Sequence, residues 1–293
     1  MDNSMKKVLV IGGGKIGSAI GKIVQSGGKQ VEWWDIDPTK CTGEGTLEEQ
    51  VIEADVIFLC IHSWVIRETL VRIKSHLKPE TVIISVAKGF EKNTMKTADQ
   101  IVKDVVPLQP FAFFGGPMVA PEIDAGKYAF GAVASESSET YTRIVALFQG
   151  SRILLNYSDD VHGTVLAGVL KNVYAMGLGM LDEQGMGSNA RGWYATKVIE
   201  EMGREIEALG GKKETTYTLA GMGDFIATGM SEDSRHRGEG RRIAAGAKPS
   251  ECEGVVSTPI VVELLGDVSS YPLLHTIHHI LQGKHELLSE IVK

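Results

Sequence analysis

The sequence is poor in the residues that mark secreted, nucleic-acid-binding and disordered proteins. Its 293 residues include three cysteines, Cys41, Cys60 and Cys252, which are far apart and show no C-x-x-C spacing. This pattern predicts reduced thiols rather than a disulfide framework. Only 23% of residues are charged and 43% are hydrophobic, which excludes wholesale disorder. A formal net charge of −7 argues against a general binder of nucleic acid or of an anionic membrane.

Long apolar runs are also missing. Only four strongly apolar residues, Val8 to Ile11, precede the first glycines, which is too few for a secretory signal. The longest apolar stretch, Val165 to Leu181, is interrupted by Lys171 and Asn172 and is shorter than a membrane span requires. We therefore expect no membrane span and a cytoplasmic location.

The first half of the sequence alternates strand-like runs with helical patterns. The strand-like runs are 7–13, 30–34, 55–61, 81–86, 111–114, 130–134 and 152–155. Most of them are continuous in Val, Ile, Leu and Phe, which is typical of strands covered on both faces. After Tyr157 strand signals become scarce and long helical patterns dominate. The pattern predicts an α/β fold with a doubly wound, mainly parallel sheet over residues 1–157 and an all-helical domain over residues 158–293.

A glycine-rich loop joins the first strand to the first helix. Gly12-x-Gly14-x-x-Gly17, with Lys15 and Ile16 inside it, has the spacing and the βαβ context of a dinucleotide-binding loop. Glycine lets the backbone turn tightly and approach a pyrophosphate, which the helix N-terminus then attracts. The N-terminal domain is therefore predicted to be of the Rossmann type, although an ordinary glycine-rich turn is the alternative.

Asp35 ends the second predicted strand, 18 residues after Gly17. An acid at about this offset accepts hydrogen bonds from the adenosine ribose and repels a 2′-phosphate. Ile36 follows it, where NADP-using enzymes often carry a cation. We therefore predict NAD as the cofactor, with NADP less favoured. The alternative is that Asp35 or Asp37 only caps the turn before Pro38.

Six further motifs follow the loop in order along nearly the whole chain. They are Ala87-Lys88-Gly89-Phe90-Glu91, Gly116-Pro117-Met118-Val119-Ala120-Pro121-Glu122, Leu170-Lys171-Asn172-Val173, Gly221-Met222-Gly223-Asp224-Phe225, Ser234-Arg235-His236-Arg237 and Glu253-Gly254-Val255. Together they resemble the NAD(P)-dependent glycerol-3-phosphate dehydrogenases of the 6-phosphogluconate dehydrogenase-like superfamily. The resemblance implies an active site between the two domains.

The resemblance implies three catalytic residues, Lys88, Lys171 and Asp224. Reduction of a carbonyl leaves an alkoxide that must be protonated, and Lys171 would donate that proton and take it back in reverse. A lysine does this near neutral pH only where burial or nearby cations lower its pKa, and the apolar helix around Lys171 favours burial. The alternatives are that both lysines are solvated and that Asp224 only forms an Asx turn or caps a helix.

The remaining expected contacts are carried over residue by residue. Substrate contacts are implied for Lys88, Gly116, Lys171, Asp224, Ser234, Arg235 and His236. Cofactor contacts are implied for Gly12, Gly14, Lys15, Ile16, Gly17, Asp35, Lys88, Ala120, Arg235 and Glu253.

The segment after Asp224 is a candidate anchor for a phosphate. A guanidinium fork with hydroxyl and amide donors, as in Ser234-Arg235-His236, suits a dianion, and a protonated His236 would add to it. Arg237, Arg241 and Arg242 are expected to extend this positive charge. The alternative is a solvated basic loop, because Glu232, Asp233 and Glu239 are interleaved with the cations.

Three residues depart from the family pattern, and the changes at Met118 and His236 fall on expected substrate contacts. The family usually has serine in place of Met118, asparagine in place of His236 and proline in place of His62. The predicted reaction is the interconversion of dihydroxyacetone phosphate and sn-glycerol 3-phosphate with NAD(H). Two alternatives stay open: a related reductase of another small phosphorylated or carboxylated ketone, and a non-catalytic NAD-binding protein.

Partners other than the small phosphorylated substrate are not indicated. A homodimer is compatible with the resemblance, although the sequence does not set the order of assembly. His275, His278 and His279, with His285 beyond, have the spacing of a metal-binding helix face. No cysteine or carboxylate completes an obvious ligand set, so we predict no metal.

Overall fold

A seven-stranded sheet forms the first half of the molecule in a computed structural model that describes residues 7–284. The strands are β1 (Lys7–Ile11), β2 (Gln30–Trp34), β3 (Val56–Leu59), β4 (Val82–Ser85), β5 (Phe111–Gly115), β6 (Ala129–Ala134) and β7 (Ile153–Ser158). Their order is β2-β1-β3-β4-β5-β6-β7. All neighbouring pairs are parallel except β5 with β6. The carboxyl ends of β1, β3 and β4 therefore lie side by side at one edge of the sheet.

Within the described residues twelve α-helices accompany the sheet. They are α1 (Lys15–Ser26), α2 (Leu47–Glu53), α3 (Ile66–Ile73), α4 (Ala98–Val105), α5 (Ala120–Asp124), α6 (Ser138–Val145), α7 (Val161–Glu183), α8 (Gly187–Ala208), α9 (Asp224–Met230), α10 (Arg235–Ala244), α11 (Glu253–Leu265) and α12 (Pro272–Leu281). One face of the sheet packs on α1 and α6, and the other packs on α2, α3 and α4. Coverage on both faces explains why every residue of β3 and β4 is buried.

The second half of the described chain is helical, as predicted. Every regular element between Val161 and Lys284 is a helix. The predicted fold class, a Rossmann-type mainly parallel sheet followed by helices, is thus confirmed. The last strand ends at Ser158 and α7 begins at Val161. The domain boundary after residue 157 stays a prediction.

Helix α7 is the centre of the second half. Its residues from Val161 to Leu181 are buried almost without exception, and its apolar side chains join a core that also includes Phe113 of β5 and Ala134 of β6. Among the described helices α7 is the one long and apolar enough to cross a membrane, and its most apolar window is 100% buried inside the protein. Burial in the core explains its apolar composition. The expectation that this stretch is too short for a membrane span does not hold for the whole helix.

Two glycine contacts bring α10 against α7. A Cβ atom added to Gly179 would lie 1.9 Å from the carbonyl oxygen of Arg237, and one added to Gly240 would lie 1.9 Å from that of Met176. Only glycine allows the two backbones to approach this closely. These contacts fix α10 beside the segment of α7 from Met176 to Gly179.

Several element boundaries differ from the sequence-based expectations. Helix α2 was not predicted, although Thr46 and Glu49 form a reciprocal capping box at its start. Helix α11 begins at Glu253 and contains Pro259 within its span. Asp224 is the first residue of α9 and Ser234 caps α10, so the alternatives of an Asx turn at Asp224 and of a solvated basic loop after Ser234 do not hold. Glycine and charge dominate both segments and hide their helical period.

Candidate active site

The glycine-rich loop has the geometry of an anion cradle. Gly12 has a φ of +107°, and a Cβ atom there would lie 2.4 Å from the carbonyl oxygen of Cys60. A Cβ atom on Gly17 would lie 2.0 Å from the carbonyl oxygen of Gly12, whereas one on Gly14 would enter open space. Among the described residues no side chain caps the N-terminus of α1 at Gly14. The first amides of α1 are therefore available to a pyrophosphate, so the loop fits a dinucleotide.

Asp35 is held in place beside this loop. Its Oδ2 accepts a hydrogen bond from the backbone nitrogen of Gly13 at 2.7 Å, and its Oδ1 accepts one from that of Asp37 at 2.9 Å. The half-buried carboxylate thus sits next to the phosphate loop, where an acceptor for ribose hydroxyls is expected. Lys15 and Ile16 form the first turn of α1, with Lys15 exposed.

The structure brings the three predicted catalytic residues together. Lys88 follows β4, Lys171 lies in the middle of α7, and Asp224 is the first residue of α9. Lys88 Nζ donates a hydrogen bond to Asp224 Oδ2 at 2.6 Å, and Lys171 Nζ lies 3.4 Å from Asp224 Oδ1. One carboxylate therefore holds two ammonium groups from opposite halves of the molecule.

Burial sets the protonation of this cluster. Lys171 is 7% exposed, and desolvation lowers its pKa to about 8, assisted by the charge of Lys88 and opposed by that of Asp224. Desolvation acts to raise the pKa of Asp224, but the two ammonium groups outweigh it and hold that pKa below its usual value. Lys171 can therefore give up and regain a proton near neutral pH while Asp224 stays ionised.

Two polar neighbours of the cluster were not among the predicted site residues. Thr228, one turn after Asp224 on α9, accepts a hydrogen bond from Lys171 Nζ at 3.2 Å. Asn172 donates from Nδ2 to the carbonyl oxygen of Lys88 at 3.1 Å, and its buried Oδ1 has no hydrogen-bond partner in residues 7–284. A helical reading of α9 would have found Thr228, because positions i and i+4 share one face.

The predicted phosphate anchor lies on the first turn of α10. Ser234 Oγ accepts a hydrogen bond from the backbone nitrogen of Arg237 and so caps the helix. Arg235 is exposed, and its Nη2 lies 3.4 Å from the carbonyl oxygen of Glu251. His236 lies beside Gly254, and its Nε2 is buried with no partner among the described atoms.

Two expectations about this segment are wrong. Desolvation lowers the pKa of His236 to about 3, and the nearby cations Lys171 and Arg235 act in the same direction, so the ring is neutral and does not add charge. The three later arginines do not extend the positive charge either. Arg237 and Arg241 form ion pairs with Asp182 and Glu232, and Arg242 pairs with Glu239.

Glu253, predicted to contact the cofactor, joins the two halves of the molecule. Its carboxylate accepts hydrogen bonds from the backbone nitrogen of Ser63 at 3.1 Å and from Ser63 Oγ at 2.9 Å. Ser63 follows β3, whereas Glu253 opens α11. His62 Nδ1 lies 3.7 Å from the same carboxylate.

Gly116 and Ala120 lie after β5. Gly116 has a φ of +118° and packs on the backbone of β6, because a Cβ atom there would lie 2.8 Å from the carbonyl oxygen of Phe130. Ala120 begins α5. Roles in ligand binding for these two residues stay predictions.

No metal centre is formed by the part of the chain that the structure describes. No group of three or more His, Cys, Asp or Glu side chains in residues 7–284 is placed to hold a metal ion. His275 and His279 contact each other on α12, with ring centroids 3.9 Å apart. His285 lies outside the described residues.

Known proteins similar to this chain share both halves of the fold. The family models described as the N-terminus and the C-terminus of NAD-dependent glycerol-3-phosphate dehydrogenase match residues 38–141 and 160–292. Glycerol-3-phosphate dehydrogenase (NAD(P)+) 1 of Mycobacterium tuberculosis strain H37Rv is 31% identical, covering 89% of this chain and 85% of that protein. The corresponding enzyme of Clostridium botulinum strain Alaska E43 is 30% identical, covering 98% and 96%.

A solved structure leads to the same result. The crystal structure of glycerol-3-phosphate dehydrogenase from Coxiella burnetii superposes with a TM-score of 0.85 at 25% identity, covering 95% of each chain. The order of the motifs, the cradle at Gly12 to Gly17 and the Lys88–Asp224–Lys171 cluster agree with these similarities. The chain belongs to the NAD-dependent glycerol-3-phosphate dehydrogenase family.

Proposed function

We propose that the protein interconverts dihydroxyacetone phosphate and sn-glycerol 3-phosphate with NAD(H). Its family makes it an NAD(P)-dependent oxidoreductase, and its relatives carry the name of this activity. The observation that carries the proposal is the buried ammonium group of Lys171, paired with Asp224 beside the end of β4. A non-catalytic dinucleotide-binding protein would have no need of two lysines drawn from separate halves onto one buried carboxylate.

Lys171 moves the proton. When bound, the nicotinamide supplies or accepts the hydride. In the direction of reduction Lys171 Nζ donates a proton to the carbonyl oxygen of the substrate, and in oxidation the neutral amine removes the hydroxyl proton. Asp224 and Thr228 hold Nζ in position, at 3.4 Å and 3.2 Å. Lys88, on the same carboxylate, places a second positive charge where the alkoxide develops.

The phosphate end of the substrate is assigned to the first turn of α10. The exposed guanidinium of Arg235 and the amides at the helix N-terminus suit a dianion. His236 Nε2 and Asn172 Oδ1 are both buried and without a partner among the described residues, and we assign them to the substrate. Asn172 Oδ1 would accept from a substrate hydroxyl group, and the neutral His236 ring would donate from Nε2. Because His236 is neutral, it acts as a hydrogen-bonding group and not as a cation.

The cofactor is assigned as NAD(H), with NADP(H) less favoured. Asp35 supports this assignment because its carboxylate, held by Gly13 and Asp37, presents negative charge where a 2′-phosphate would lie. The comparison of dissociation constants for NADH and NADPH tests it, and tighter binding of NADPH would contradict it.

Substitution of Lys171 tests the reaction. Lys171→Met keeps the apolar stem and should lower kcat for dihydroxyacetone phosphate by about a thousandfold, with the dissociation constant of NADH unchanged. The matched control is Lys197→Met, because Lys197 is exposed on α8 and pairs only with Glu200 among the described residues. Normal turnover by Lys171→Met would remove Lys171 from the mechanism.

A panel of ketones separates this function from its alternatives. We expect the largest kcat/KM for dihydroxyacetone phosphate among phosphorylated and carboxylated ketones of similar size, followed by oxidation of NADH. A larger value for a carboxylated ketone would favour a different reductase of the same fold. Tight NADH binding with no turnover of any ketone would favour a non-catalytic binding protein.

A further inference from the structure

The segment after β2 folds back over the phosphate loop. Cys41 holds it there, because Cys41 Sγ accepts a hydrogen bond from the backbone nitrogen of Asp35 and donates to its carbonyl oxygen, both at 3.3 Å. A Cβ atom built on Gly13 would lie 2.8 Å from Lys40 Cβ, 3.3 Å from Lys40 Cδ and 3.4 Å from Asp35 Oδ2. The stem of Lys40 and the carboxylate of Asp35 therefore flank the same point above the loop.

Among residues 7–284, the ammonium group of Lys40 has only a weak partner in this position. Its Nζ lies 3.4 Å from Asp37 Oδ2, and both side chains are more than 40% exposed. Asp37 does not depend on this pair, because its Oδ1 accepts hydrogen bonds from the backbone nitrogen of Thr39 at 3.1 Å and from Thr39 Oγ1 at 2.7 Å. Exposed ion pairs contribute little to stability, so Lys40 can turn to a stronger anion without disturbing the turn.

Asp35 and Ile36, the two residues that follow β2, supply no positive charge for a 2′-phosphate. Ile36, next to Asp35, is 88% exposed and carries no charge. Asp35 accepts ribose hydroxyls but repels a 2′-phosphate. A cation that reaches the space beside Asp35 offsets this repulsion, because a phosphate dianion pairs more strongly with an ammonium group than an exposed carboxylate does.

We propose that Lys40 is the residue that determines how well this protein accepts NADPH beside NADH, by pairing with the 2′-phosphate. This rests on the dinucleotide site of the proposed function. Asp35 favours NADH, and Lys40 reduces the penalty against NADPH. The two side chains act on the same end of the cofactor, at the adenosine ribose, and neither touches the reacting atoms.

Direct binding of the two dinucleotides tests the proposal without any ketone present. The dissociation constants of NADH and NADPH are measured by calorimetry for the unaltered chain, Lys40→Met, Lys40→Arg and the control Lys22→Met. Lys22 is an exposed lysine of α1 that pairs with Asp124, away from the loop. Lys40→Met should weaken NADPH about five- to tenfold and change NADH by less than about twofold, since one charge-assisted contact is lost. Lys40→Arg and Lys22→Met should bind both cofactors as the unaltered chain does.

Salt gives a second readout. Raising the ionic strength should lower the ratio of the NADPH to the NADH dissociation constant in Lys40→Met, where only the repulsion by Asp35 is left to be screened, and should lower it less in the unaltered chain, where the attraction of Lys40 is screened as well. Equal weakening of both cofactors by Lys40→Met would overturn the proposal, because Lys40 would then contact a part that they share. Unchanged NADPH binding would overturn it as well. Since no turnover is measured, a failure of the proposed ketone reaction leaves this result readable.

Discussion

Removal of the charge on Asp224 is the sharpest test of the catalytic cluster. Asp224→Asn keeps the shape of the side chain but leaves the buried Lys171 and the partly buried Lys88 without their shared carboxylate. Asp224 is 4% exposed and Lys171 is 7% exposed, so water compensates little for the loss. The neutral form of Lys171 is therefore favoured, and its pKa must fall below about 8.

The distance gives the size of the effect. Two unit charges 3.4 Å apart, the separation of Lys171 Nζ and Asp224 Oδ1, interact by about 1 kcal/mol in bulk water and about 5 kcal/mol at an effective dielectric constant of about 20. An intermediate loss of about 1.4 to 4 kcal/mol corresponds to one to three pKa units. The pKa of Lys171 in Asp224→Asn should then lie at about 5 to 7.

The assay is the pH dependence of kcat/KM in both directions. Reduction needs protonated Lys171, so in the unaltered protein it should fall as pH rises through about 8, and oxidation should rise over the same range. In Asp224→Asn both transitions should move to lower pH, and reduction at neutral pH should be slowed. Asp99→Asn is the control, because Asp99 is also buried and paired, with His162 at 2.9 Å, but lies outside the cluster.

Two results would refute this reasoning. A transition that stays near pH 8 in Asp224→Asn would show that the pKa of the titrating group does not depend on this carboxylate. An equal shift in Asp99→Asn would show that loss of any buried acid moves it. A fall in melting temperature is expected for both variants and does not distinguish them, since each removes a buried carboxylate that is paired in the fold.

The remaining predictions concern the phosphate loop and the packing of α10. Gly14→Ala should leave the melting temperature unchanged, because a Cβ atom there meets open space, and should weaken NADH binding, because the pyrophosphate is expected in that space. Gly17→Ala should destabilise the fold itself by about 1–3 kcal/mol, because its Cβ atom would lie 2.0 Å from a backbone oxygen. Normal NADH affinity of Gly14→Ala, measured by calorimetry, would place the pyrophosphate elsewhere. Asp182→Asn should lower the free energy of unfolding, measured in urea, by about 3 kcal/mol, since Asp182 pairs with the buried Arg237. The surface control Asp124→Asn should change it little. Equal effects of the two substitutions would contradict a stabilising ion pair between Asp182 and Arg237.

The sequence alone carried the fold class and the outline of the site. Continuous apolar strands alternating with helical patterns predict a parallel sheet by simple burial, and the glycine spacing after β1 predicts the dinucleotide loop, because only glycine allows those backbone contacts. The grouping of Lys88, Lys171 and Asp224 came from the resemblance, since 136 residues separate Lys88 from Asp224. No local sequence pattern shows that residues so far apart along the chain lie close together in the fold.

Tertiary structure alone decided the protonation and the partners of these groups. The same residue types are compatible with a solvated lysine or a proton donor, and burial of Lys171 in α7 selects the second by lowering its pKa to about 8. His236 resembles a phosphate-binding cation in sequence, but desolvation makes it neutral. Arg237 belongs to a basic run, but Asp182, 55 residues away, neutralises it. Desolvation and long-range charge pairing depend on three-dimensional proximity, which composition and spacing do not contain.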